Sequence, residues 1–271
     1  MSNLAAYIDG VAVIAPGINS WSECRAILRG EQHYQAQKTI YPAAPTSLPP
    51  TERRRAAQVV KLALAIGYDA LAQAQLAPDE LPTVFASSGG DSYNCHEICQ
   101  VLASNDRHIS PTRFHNSVTN AAAGYWSIAT RSMAPSTVVC AFDGSFSAGL
   151  LEAVAQVTVD NTRCMLLAYD VDYPEPLRSA RPIPDGAGVA LVLSPEPSSN
   201  SLAQIRVALS HHSADGLSNP ALEELRMAIP AARALPLLEA LAYAEAANLV
   251  LDYLHDLRLS VEVVPCRGGA N

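Results

Sequence analysis

Residues 138–153, VVCAFDGSFSAGLLEA, constrain this chain most, because they impose a sharp strand–turn–helix unit. Residues 136–142 are apolar and read as a buried strand. Asp143, Gly144 and Ser145 form a tight turn of small residues, and residues 146–157 read as an apolar helix. A unit of this kind presents one side chain at a helix N-terminus, where backbone N–H groups stabilise an anion or a thiolate. The side chain expected at the tip is Asp143, a carboxylate and a poor acyl acceptor. Asp143 is expected to act as a structural N-cap. Two alternatives stay open: a mimic of an acylated or oxidised cysteine, and an ion-paired residue that holds the turn closed. Cys140, three residues earlier, is expected to be a small hydrophobe buried in the strand.

The remaining pattern alternates strands with helices. Residues 6–14 alternate as a strand, and Ser20 is placed to cap a helix that runs to about residue 29. Residues 30–50 are polar and proline-rich and read as a long loop. One strong helix is expected over residues 51–76, with Val59, Val60, Leu62, Leu64, Ile66, Ala70 and Leu71 on its apolar face. A short strand at 81–86, a helix at 94–102 and a helix at 116–130 follow. Strands are expected at 164–168, 186–194 and 204–209. The chain then reads as helical from 220 to about 247, with a helix or strand to 254 and a closing strand at 259–264. This order predicts an α/β fold with helices on both faces of one sheet. The linker-like stretch SPEPSSNS, residues 194–201, suggests a boundary near residue 200.

Charged residues make up 16% of the 271, against about 25% in typical soluble proteins. Apolar residues reach 49% with only 6% aromatic. Either a large subunit interface, whose core is depleted in charge, or an alanine-rich interior accounts for this. The formal charge of −8 and the lack of a basic stripe argue against nucleic acid. The one basic run, Arg53-Arg54-Arg55, is either a solvated first helical turn or a contact for an acidic carrier protein. The first residues, MSNLAA, lack a secretory pattern, and no run of 18 apolar residues exists to span a membrane. Six cysteines without paired spacing suit reduced thiols, so a cytoplasmic location is expected.

Four segments, in order, resemble the N-terminal half of a β-ketoacyl synthase, a family with a thiolase-like fold. They are AYIDGVAVIAPG from Ala6, Ser110-Pro111 with a following helix that carries Asn120 and Gly124, the strand–turn–helix unit, and RPIPDGAGVALVL from Arg181. The resemblance implies a thiolase-like layered α/β fold, with an N-terminal domain over residues 1–205 and a shortened segment, 206–271, completing the same fold. The stretch FHNSVTNAAAGYWSI, residues 114–128, is most similar to short synthase-like subunits that pair with an active synthase. Such subunits act as chain-length factors in aryl-polyene or xanthomonadin-type pathways.

The departures from the family carry as much weight. Active synthases place a cysteine where Asp143 stands. They need two histidines from their second half, and His211, His212 and His255 lie in no His-Gly-Thr-Gly-like turn. The family's lysine and its Gly-rich Phe-Gly element are missing from the last 70 or so residues. The resemblance therefore implies a non-catalytic partner of an active β-ketoacyl synthase that shapes its acyl tunnel, with no cofactor and with acyl carrier protein as a further partner. A residual malonyl decarboxylase or thioesterase, and a homodimeric scaffold that recruits carrier protein, are the other readings. By resemblance, Thr112, Arg113 and Phe114 form the floor or wall of the partner's pocket, and His115, Asn116, Asn120 and Gly124 lie at the dimer seam. Phe114 can equally be core. Ala121, Ala122, Ala123 and Gly124 are small enough for close backbone approach across the seam.

Three further motifs are weak. Cys95-His96-x-x-Cys99 lacks a second ligand pair for a four-ligand zinc site, so no metal is expected. Ser87-Ser88-Gly89-Gly90 follows a strand but precedes no Lys-Ser/Thr, and reads as a turn rather than a phosphate cradle. His211-His212, near Asp215, reads as a surface turn.

Overall fold

The computed structural model describes residues 4–79 and 81–266; residues 1–3, part of the N-terminal stretch read for a signal, lie outside them. The strands are β1 (Leu4–Ile14), β2 (Thr83–Ala86), β3 (Ser136–Val139), β4 (Cys164–Asp170), β5 (Ala187–Ser194), β6 (Ala203–Ser210), β7 (Ala247–Asp252) and β8 (Arg258–Pro265). The α-helices are α1 (Trp21–Leu28), α2 (Pro50–Arg55), α3 (Gln58–Ala74), α4 (Ser92–Ala103), α5 (Pro111–His115), α6 (Ala121–Thr130), α7 (Ser145–Asp160), α8 (Leu177–Ala180), α9 (Pro220–Ala228) and α10 (Leu235–Tyr243). All eight strands join in one sheet, in the order β3-β2-β4-β5-β1-β6-β8-β7. β2 runs parallel to β3 and β4, and every other pairing is antiparallel.

Side-chain alternation builds two cores, one on each face. Along β4, Cys164, Leu166 and Ala168 join a core with α1, α7, α9 and α10. Met165, Leu167 and Tyr169 join a second core with α3 and α6. The second face is covered over β1 to β5 only. On β6 and β8 it is polar, and Arg206 there pairs with Glu262 at 3.0 Å. The expected boundary near residue 200 does not appear in the sheet. β6 pairs with β1, and the hydroxyls of Ser194 and Ser201 both donate to buried Asp9, which ties the polar stretch down.

Four predicted elements differ. The helix over 51–76 breaks at Ala56, whose ψ of 115° turns the chain, leaving α2 with no buried residue and α3 with the apolar stripe. The helix over 116–130 starts at Ala121, because Ser117 and Asn116 close a turn on the Phe114 and Thr112 carbonyls. The strand over 136–142 stops at Val139 and forms a partly exposed sheet edge. The helix over 220–247 is interrupted where Ile229 is extended ahead of Pro230, and a 3-10 turn over Pro230–Ala234 separates α9 from α10. Residues 247–252 are strand.

Candidate functional site

The strand–turn–helix unit exists, but its tip is Phe142, not Asp143. Phe142 holds the left-handed backbone (φ 53°) and is 62% exposed, in a 3-10 turn that leads into α7. Asp143 does not cap the helix. Gly144 sits at the cap position, and the Ser145 hydroxyl instead accepts from the Ala141 N–H. The Asp143 carboxylate turns sideways to Arg181 at 2.6 Å and Arg233 at 3.3 Å. That is the ion-paired alternative. Two guanidiniums reach it because α8 and the Pro230 turn both end beside the elbow.

The same side chains pack around the turn. The Arg181 guanidinium lies over the Phe142 ring, 3.6 Å from its centroid. Arg233 continues to Asp252 at 3.2 Å, and Asp252 to Arg226 at 2.6 Å, which pairs with Glu223 at 2.7 Å. The hairpin turn after β7 rests on the elbow itself. The Ser147 hydroxyl donates to the Asp252 carbonyl at 2.5 Å, and a Cβ on Gly144 would overlap the Tyr253 carbonyl oxygen. The clefts at β5–α7, α10–β7 and α3–α5 are lined by no elbow residue.

Cys140 is not buried. It follows the end of β3 and is exposed, while partial desolvation and the Asp170 carboxylate hold its thiol above the usual range. A thiol in that state is a weak nucleophile. His255 is 98% exposed and pairs only with its neighbour Asp256, and His211 and His212 are exposed as expected. Cys95 and Cys99 are exposed, and no cluster of three metal-ligating side chains occurs among the described residues.

The Ser87–Gly90 turn holds a carboxylate of the chain itself. Asp170 is fully buried and accepts from Ser88 N at 2.8 Å, Ser88 Oγ at 2.6 Å, Ser87 Oγ at 3.3 Å and Ala231 N at 2.9 Å. Burial pushes its pKa up to about 6, against those hydrogen bonds. It thereby ties the N-terminal strands to the Pro230 turn. Sequence reading missed Asp170, Arg233, Asp252 and Tyr253. Only Arg181 lay within a motif singled out, and its spacing to Asp143 gave no pairing signal.

The expected seam residues lie on α5, on the turn after it and on α6. Thr112, Arg113 and Asn116 line a cleft of about 730 Å³ with Arg54, Arg55 and Tyr93. Arg113 pairs with Glu97 at 3.0 Å, and Asn116 accepts from the Tyr125 hydroxyl at 3.5 Å. Phe114 is 68% exposed, which rules out the core reading, and His115 and Asn120 are also exposed. Gly124 faces open space, whereas Ala122 and Ala123 are buried in the chain's own core rather than free for a seam. Val118, Ile128 and Met133 add exposed apolar surface to the same stretch of chain.

The family model for the β-ketoacyl synthase N-terminal domain matches residues 21–244. The chain belongs to this family. The match runs past residue 205, as does the sheet. The thiolase-like α/β fold of β-ketoacyl synthases is also seen in the solved structures it resembles. One is a chain of the ketosynthase (ApeO) in complex with its chain length factor (ApeC) from Xenorhabdus doucetiae. It has a TM-score of 0.72 and 20% identity, over 95% of this chain and 99% of that one. Another is a chain of AntDE:AntF, a type II polyketide acyl-carrier protein in complex with its ketosynthase bound to the hexaketide. Its TM-score is 0.76 at 12% identity, over 98% and 100%. The ishigamide ketosynthase/chain length factor gives 0.71 at 15% identity, over 96% and 99%. No curated protein matches. No helix of the described residues is long and apolar enough to cross a membrane.

Proposed function

We propose that this chain is a non-catalytic, chain-length-factor-like partner of an active β-ketoacyl synthase in a polyene-type fatty acid pathway. The observation that carries the reading is the closed elbow. Arg181 covers Phe142, Arg181 and Arg233 hold Asp143, and the Tyr253 backbone sits on Gly144. An acyl thioester meets a carboxylate held by two guanidiniums at this turn rather than a thiolate. Nothing at the elbow pairs a nucleophile with a base within hydrogen-bond reach.

The partner role draws support from the sheet edge that leads into the elbow. Among the described residues β3 is the last strand of the sheet, and Phe114, Val118, Ile128 and Met133 are exposed on the segments that precede it in the chain. An open edge beside an apolar surface favours strand addition by another chain. Thr112, Arg113 and Phe114 lie on α5, and bulk at exposed Phe114 would limit the space left to a growing acyl chain in the partner. The likeness to chains of ketosynthase/chain length factor complexes agrees with this reading. Acyl carrier protein would then meet the complex rather than this chain alone.

Co-expression with the neighbouring synthase, purification on a tag carried by this chain only, and mass measurement of the product test the proposal. A 1:1 complex is expected. A clean monomer or homodimer free of synthase would refute it.

A further inference from the structure

The sheet has two ends, and the chain treats them differently. At the β3 end, the bonds from Thr83 N to the Pro135 carbonyl and from Ser87 N to the Val139 carbonyl fix which groups point inward. By alternation, the main-chain groups of Ser136 and Val138 face out. At the β7 end, Asp215, in the loop after β6, lies along the strand. Its N–H donates to the Val250 carbonyl at 2.8 Å, and its Oδ2 accepts from the Val250 N–H at 2.8 Å. One residue thus satisfies both outward groups of Val250, as a paired strand would. Two positions on, the Asp252 carbonyl is taken by the Ser147 hydroxyl at 2.5 Å.

β7 needs such cover. Its sequence, ANLVLD, has no proline and a single charge, at its end, and an uncovered edge of that kind pairs readily with a second copy of itself. We propose that Asp215 seals the β7 edge against pairing with the β7 of another copy of this chain, so that the sheet grows from one end only. A chain with both edges open would add copies at each end and form an open, non-closing assembly. The inference concerns the end opposite β3, so it holds whether or not a synthase binds there.

The test is sedimentation velocity of the purified chain across a wide concentration range. Asp215→Ala is expected to shift the sedimentation coefficient upward with concentration relative to the parent. Asp215→Asn, which keeps the N–H and an acceptor oxygen, is expected to sediment like the parent. Adding Val250→Pro to Asp215→Ala removes the outward donor without touching the β8 ladder and is expected to abolish the shift. The proposal is overturned if Asp215→Ala sediments like the parent, or if its association persists with Val250→Pro. Amide exchange on the parent supplies a readout that needs no variant. The Val250 amide is expected to be protected well beyond the outward-facing Asn248 amide, and equal exchange at the two would also overturn it.

Discussion

Gly144 and Tyr253 meet backbone to backbone: a methyl group in place of the glycine hydrogen would overlap the Tyr253 carbonyl oxygen. The glycine has φ −87° and needs no left-handed freedom. Its requirement is space alone. The hairpin that follows β7 therefore closes the elbow by contact, and the fit has a measurable cost when disturbed.

Gly144→Ala is expected to destabilise the chain by about 1–3 kcal/mol, the usual cost of overpacking. Denaturant unfolding reads this as a lower midpoint with an unchanged slope. An unchanged midpoint would mean that the hairpin does not rest on the turn.

Asp143 and Arg233 are expected to be coupled. Asp143→Ala leaves Arg181 its stack on Phe142 but no carboxylate partner, while Arg233 keeps Asp252. Each single replacement should lower stability by about 1–2 kcal/mol, since these groups are partly screened by solvent. In a double-mutant cycle the loss for the pair should fall short of the sum by at least roughly 0.5 kcal/mol. Strict additivity would show that the ion pair carries no energy.

The Asp170 carboxyl gives the stability a pH dependence of definite sign. Its folded pKa, about 6, lies above the ordinary 3.8. Between those values the folded chain retains a proton that the unfolded chain has released. The stability from this group is thus full below pH 3.8, falls as pH rises, and is lost above about pH 6. At about 1.4 kcal/mol per pKa unit the swing is on the order of 3 kcal/mol. Unfolding of the parent and of Asp170→Asn, compared near neutrality and in mild acid, should show the parent gaining relative to the variant on acidification. A constant difference would contradict the shift.

Phe114→Ala should leave stability within about 0.5 kcal/mol of the parent, because the ring is mostly exposed. In the synthase complex the same change should lengthen the products, read by mass spectrometry of the released acyl chains. Unchanged lengths would remove Phe114 from the tunnel wall.

Most of the strands, though not their order in the sheet, were readable from local pattern. β1, β4, β5 and β8 show runs or alternations that no helix would bury, and Ser20 caps α1 on Glu23 as its position suggests. Helix ends were less legible. Ala56 turns the chain although nothing in its side chain announces it, and the Pro230 break is plain only once Ile229 is seen to be extended. At the elbow, local pattern located the turn to within one residue. It chose Asp143 because a carboxylate is the chemically conspicuous side chain there.

The sequence by itself determined the α/β class, the elbow between β3 and α7, and the family resemblance, since each rests on neighbours within one or two elements. Only the tertiary structure decided what the elbow holds. Arg181, Arg233 and Tyr253 come to Asp143 and Gly144 from 38 to 109 residues away along the chain, by the difference of their numbers. Asp215 and Val250 meet in the same way at the far edge of the sheet. Pairings at such separations follow from how the strands and their connections pack in one sheet, which periodicity and side-chain chemistry do not encode.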